Sequence, residues 1–358
     1  MPNNKNQHYV PRCLLKPFTL NREGLAINVF NISRRRAIPN APVKSQCSQD
    51  YFYGRDDLRA EKLLANLEGE FTTVLGKLQS GSSADEKDKY WLKLFALIQW
   101  RRTAAQLAEM RRYWESMHNA AYAPYPAQKP KDGLSDHDLM MISMQAGVEG
   151  IKYIEDLKVS IFRNLSSLEF IISDNPSVLT NRLHLQRWKQ NRFGMSSSGA
   201  ILSMPLSPEL SFVAYDGAAY TSDRSRDGFV DLRYDHDIRA LNELQFLVAE
   251  KNLYFSPSQD YTAFADQIEE VSAEREIAVP GTQVFIPVEG SKGAYRSAKP
   301  GEEMTAKQML LATSFRYPTP SSWPSKLRMR EKVKTFENGS SVGHVRKSEW
   351  LTSRGRTT

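Results

Sequence analysis

The chain has 358 residues, 41% hydrophobic and 25% charged, with a formal net charge of +7 at pH 7. That balance excludes a low-complexity disordered polymer, and no apolar run approaches the roughly 20 residues needed to span a bilayer. The polar start, Met1 to Gln7, lacks the apolar stretch of a secretory signal, so a cytoplasmic protein with no membrane partner is expected.

In chain order, Leu25 to Asn31 is β-branched and aromatic and follows the turn-prone Asn21-Arg22-Glu23-Gly24, which predicts a strand. Tyr51-Phe52-Tyr53, closed by Gly54, is a short apolar stretch able to pack on it. From Asp57 to Leu78 the apolar residues Leu64, Leu67, Phe71, Leu75 and Leu78 recur at helical steps. Ser80-Gly81-Ser82-Ser83 breaks that helix, and Asp85 to Arg112 reads as the next. Ser135, with Asp138 three residues on, caps a long helix predicted from Asp136 to about Asn164. Strands are then predicted at Leu168–Ile172, Ala200–Leu206 and Leu210–Tyr215, a helix at Asp237–Lys251, and a closing strand at Leu253–Phe255. A helix from Asp260 to about Ala273 and a strand at Thr282–Val288 follow.

This pattern predicts an α+β fold, with amphipathic helices packed on a small mixed or antiparallel sheet built from N-terminal and central strands. Residues 1–275 are expected to form one composite domain. Residues 276–358 are expected to be an appendix with a basic, partly disordered tail. Lys326, Arg328, Arg330, Lys332, Lys334, Arg346, Lys347, Arg354 and Arg356 concentrate positive charge there, and Arg34-Arg35-Arg36 forms a second knot. Such charge permits a nucleic acid or other polyanion as partner, although a solvated tail and a turn account for it more simply. The two cysteines, Cys13 and Cys47, cannot build a disulfide framework and read as reduced thiols.

The candidate chemistry centres on His8. Pro11 restricts Val10 to extended geometry, and an imidazole can act as base, acid or metal ligand near neutral pH. Glu68 lies four residues after Leu64 and three before Phe71, on or beside the buried stripe of its helix. A carboxylate there needs a partner, and Arg101 and Arg102 on the next helix are the candidates, with Glu68–Arg102 preferred. The pair either fixes helix register or serves a site in which the carboxylate acts as base or metal ligand and the arginine grasps a phosphate. Asp174 and Asn175 end a strand, where they can carry ligands or close an Asx-turn before Pro176. Asp235-His236-Asp237 reads as a helix start with Asp235 as N-cap. Neither a glycine-rich phosphate loop nor a GxSxG elbow is present.

Gln7-His8-Tyr9-Val10-Pro11-Arg12 with Leu15 and Phe18, Cys47 to Tyr53, Leu67-Glu68, Gln99, Arg102-Thr103, Ile172 to Pro176, Pro205 to Pro208, Asn242 and Tyr254-Phe255-Ser256 together resemble the domain-of-unknown-function family numbered 4238, over about residues 5 to 256. The resemblance implies a common fold and a common site but supplies no activity. The residues themselves lead to an expected site of His8, Glu68, Arg102, Asp174 and Asn175, with Arg12, Tyr9 and Arg101 as substrate contacts. Acidic groups beside a histidine and an arginine suit phosphoryl chemistry, so a metal-assisted nuclease or phosphohydrolase is the leading expectation. A divalent metal such as Mg is allowed by the acids, although no ligand set is specified. The alternatives are a non-catalytic nucleic-acid or nucleotide binding module, and a structural protein whose polar residues only specify packing.

Overall fold

The computed structural model describes residues 5–54, 58–123, 129–130, 133–189, 193–256, 281–290, 294–299, 302, 309–314, 317–337 and 343–348. The first half runs β1 (Asn6–His8), α1 (Arg12–Leu15), β2 (Ala26–Asn31), β3 (Arg36–Pro42), β4 (Ser48–Asp50), α2 (Leu58–Gln79), α3 (Glu86–Arg101), α4 (Ala104–Tyr122) and α5 (Asp136–Gly150). The second half runs β5 (Lys158–Asn164), β6 (Ile172–Ser173), β7 (Val178–Thr180), β8 (Ile201–Ser207), β9 (Leu210–Tyr215), β10 (Tyr220–Thr221), β11 (Phe229–Leu232), α6 (Asp235–Val248) and β12 (Asn252–Phe255). Beyond these lie β13 (Gly281–Pro287), β14 (Tyr295–Ser297), β15 (Leu310–Ser314), β16 (Arg328–Met329), β17 (Phe336–Glu337) and β18 (His344–Val345).

The fold is α+β. One four-stranded antiparallel sheet, in the order β3-β2-β12-β6, joins N-terminal to central strands. A five-stranded sheet, β11-β5-β9-β8-β7, is antiparallel except for the β11–β5 pair. Helices α2, α3 and α5 pack around a common core, in which Phe71 and Phe95 stack with ring centroids 3.8 Å apart. Gly147 lets α5 approach α3 closely: a Cβ there would stand 3.1 Å from Arg101 Cγ and 3.2 Å from Ile98 Cδ1. Among the described residues, no helix is long and apolar enough to cross a membrane.

Several elements differ from the sequence expectation; the strand expected at Leu168–Ile172 is confined to Ile172–Ser173. The helix expected over Asp85–Arg112 is broken at Arg102–Thr103. Thr103 is extended (φ −91°, ψ 163°), and its hydroxyl caps α4 by accepting from the Gln106 N–H. The helix expected to run to about Asn164 ends at Gly150, and Lys158–Asn164 is a strand. Its Val159, Ile161 and Phe162 pack into the core from between two partner strands, so sheet burial overrides the helical continuation. At the start of α6 the N-cap is Tyr234 rather than Asp235, whose carboxylate instead accepts from the Ser167 hydroxyl. The helix expected from Asp260 to about Ala273 lies outside the described residues.

The described C-terminal residues dock on the body. Ser321 bonds the Glu243 carboxylate and Ser325 that of Asp237, both through N–H and hydroxyl. Arg346, 4% exposed, bonds Asp156 and the carbonyls of Tyr153, Met195 and Ser197.

Candidate functional site

The opening motif is held as an extended strand by pairing β1 with β4, so Gln7 and His8 point to opposite sides. Gln7, 7% exposed, is fully used. Its Oε1 accepts from the Tyr53 N–H at 2.7 Å, and its Nε2 donates to Glu61 Oε1 at 2.8 Å and to the Gly54 carbonyl at 3.2 Å. Gly54 has φ +101°, and a Cβ there would stand 2.9 Å from the His137 ring, so only glycine fits this corner.

His8 lines a cleft of about 340 Å³ between the N-terminal segment and α2. Its other walls include Arg12, Cys13, Tyr53, Glu61 and Glu68. Burial lowers the His8 pKa below the usual imidazole value. A hydrogen bond to the Val43 backbone works against that fall, and the nearby Arg12 charge adds to it. The imidazole is therefore neutral at pH 7. Its Nε2 is buried and has no hydrogen-bond partner in the structure. Burial likewise pushes the Cys13 thiol up to about 12, with Glu68 adding to the effect, so Cys13 is a protonated thiol and not a nucleophile at neutral pH.

Glu68 and Arg102 pair as the helical spacing predicts. Arg102 Nη1 donates to Glu68 Oε1 at 2.9 Å. Arg102 is 1% exposed, whereas the Glu68 side chain is 31% exposed and reaches the cleft. Arg102 is the hub of a network. Its Nε donates to Gln99 Oε1 at 2.8 Å, and Gln99 Nε2 donates to the Tyr9 carbonyl at 2.8 Å. The Tyr53 hydroxyl donates to the His8 carbonyl at 3.3 Å and lies 3.5 Å from the Arg102 carbonyl. The helix junction thus fixes both the carboxylate and the backbone that carries His8. Arg102 itself does not line the cleft; it acts through Glu68.

The remaining predicted residues go elsewhere. Asp174, 2% exposed, accepts from the N–H groups of Glu250, Lys251 and Asn252 at 2.7, 2.8 and 3.0 Å. Burial raises its carboxyl to about 6 while those three donors pull it down. It staples the turn entering β12 and does not line the cleft. Asn175 is also committed: its Oδ1 accepts from the Thr103 hydroxyl at 2.9 Å and its Nδ2 donates to the Val248 carbonyl at 3.1 Å. Arg101 lies over the Trp100 ring, 3.8 Å from its centroid. Tyr9 packs on Phe52 with ring centroids 5.1 Å apart, and burial raises its hydroxyl pKa. Arg12 is exposed at the cleft wall. Of the expected set, His8, Glu68 and Arg12 therefore share the cleft, and Arg102 stands directly behind Glu68. Asp174, Asn175, Tyr9 and Arg101 are not among the residues lining it.

Glu61, Cys13 and Tyr53 also line the cleft, though none of them belongs to the site expected from the sequence. Glu61 could have been suspected, because it precedes Glu68 by seven residues, two helical turns on the same face. Among the described residues, no three His, Cys, Asp or Glu side chains cluster closely enough to hold a metal ion.

Comparison with known proteins finds no match among curated proteins and none among solved structures. A family profile described as a protein of unknown function (DUF4238) matches residues 6–259, which include the whole cleft and its supporting network. The chain belongs to that family.

Proposed function

We propose that the His8 cleft is the active site of a hydrolase acting on a phosphate-containing substrate. The observation that carries this reading is a neutral imidazole with a partnerless Nε2, in the same cleft as a carboxylate clamped from behind. With the other ring nitrogen donating to backbone, Nε2 is the acceptor that a general base needs. In this mechanism His8 takes a proton from water as its oxygen bonds to phosphorus, the ester P–O bond breaks, and the imidazolium returns the proton to the departing oxygen. Glu68, held by Arg102, stabilises the imidazolium that results. Arg12, exposed on the cleft wall, meets the phosphate.

The test is a panel of phosphomonoesters, nucleotides and single-stranded oligonucleotides, assayed after EDTA treatment and again with added Mg or Mn. The wild-type chain is expected to turn over at least one substrate. His8→Ala should lower kcat by about 100-fold or more, with an unchanged circular dichroism spectrum. Equal turnover by wild type, His8→Ala and Glu68→Gln would reject the assignment. Saturable binding without turnover would instead favour the alternative of a recognition module.

A further inference from the structure

A second pocket, of about 610 Å³, lies along the N-terminal half of α3. Nine residues, or about 13 Å of helix, separate Lys93 in its wall from Arg102 behind the His8 cleft. Lys89 and Lys93 are one helical turn apart and share a face, with Tyr90 beside them. Lys158 at the start of β5 and Ser222 and Arg224 after β10 complete the basic lining.

Lys93 is an unusual lysine. It is 9% exposed, and its ammonium donates to the Glu155 carbonyl, which occupies one of three N–H bonds. Burial draws its pKa below the usual lysine range. A cation kept in such a place without an anion bonded to it is costly. The Ser222 hydroxyl, also on the wall, is buried with no hydrogen-bond partner. The lining acids do not cancel the charge. Glu86 is taken by Lys89 and Asp156 by Arg346. The lining as a whole carries four cations, Lys89, Lys93, Lys158 and Arg224, against three acids, Glu86, Glu155 and Asp156. Arg224 holds its place through one bond to the Val159 carbonyl, so the rest of its guanidinium is available. Tyr90, 41% exposed, offers a ring edge or face to an organic group.

We infer that this pocket binds the phosphate of a small organic phosphate. Lys93, Lys158, Arg224 and the Ser222 hydroxyl hold the oxygens, and Tyr90 lies against the organic part. The inference is independent of the chemistry proposed for the His8 cleft. Its test is calorimetric titration of the full chain with AMP, adenosine and inorganic phosphate. AMP is expected to bind saturably and at least about tenfold more tightly than adenosine. Lys158→Glu and Lys93→Met should each weaken AMP by about tenfold or more, and Lys332→Glu, at an exposed lysine that lines neither pocket, by less than about twofold. Lys158 is exposed, so its variant keeps the test decisive even if Lys93→Met fails to fold. Absence of AMP binding at about 10 mM, adenosine binding as tightly as AMP, or a loss in Lys332→Glu as large as that in Lys158→Glu would overturn it.

Discussion

Replacing Glu68 by Gln leaves the Arg102 guanidinium, 1% exposed, without its counter-charge. Breaking one side of a buried pair costs about 3–5 kcal/mol, and the partial exposure of Glu68 places this variant near the lower end. Urea denaturation should therefore show a loss of about 3 kcal/mol; a loss under about 1 kcal/mol would mean that the pair is solvated. Asp174 makes a different prediction. Asp174→Ala strands three backbone N–H groups and should cost at least about 3 kcal/mol, while any folded fraction keeps its ligand affinity in the His8 cleft. Parallel loss of affinity in folded Asp174→Ala would put Asp174 back in the site. For His8 the folded pKa lies below the unfolded value of 6.5. Its contribution to stability is therefore complete above pH 6.5 and is lost as pH falls through the folded pKa. NMR titration should place the His8 midpoint below 6.5, and the acid limb of turnover should follow that midpoint. A midpoint above 6.5 would remove the neutral base from the mechanism.

The decisive element boundary is the junction between α3 and α4. Thr103 caps α4 and at the same time donates to Asn175, which in turn holds the end of α6. One hydroxyl thus ties the helical layer to the segment leading into β12. Thr103→Ala removes a cap and leaves the Asn175 oxygen short of a donor, so a loss of about 2 kcal/mol is expected, with Thr103→Ser recovering most of it. A double-mutant cycle with Asn175→Ala should show coupling of about 0.5 kcal/mol or more; additive losses would separate the cap from the tie. The same break puts Arg102 at the helix end, where its side chain can meet both Gln99 and Glu68.

At the level of the whole molecule, the family-matched region does not carry all of its own contacts. Leu327, Val345 and Arg346 are buried against it, and Asp237 and Glu243 bond to Ser325 and Ser321. A chain cut after residue 275 would expose those apolar surfaces and leave Asp237 and Glu243 without these donors. Thermal melting should show a lower and less cooperative transition than that of the full chain. Identical melting curves would mean that the C-terminal residues only decorate the surface.

The sequence alone determined what depends on neighbours in the chain. The α+β class, the stripe of α2, the capping box at Ser135 and the inward placement of Glu68 and Arg102 follow from spacings of three or four residues, because helical geometry repeats over that distance. Partners far apart in the chain were decided by the tertiary structure. Asp174 and Asn175 looked like site residues at a strand end, yet their hydrogen-bond capacity goes to residues 250–252, Thr103 and Val248. The polar anchor Gln7 and the buried Lys93 carry no local pattern that distinguishes them from surface residues. A buried polar group takes whichever donor or acceptor the closed fold brings within about 3 Å, and that partner can lie anywhere along the chain.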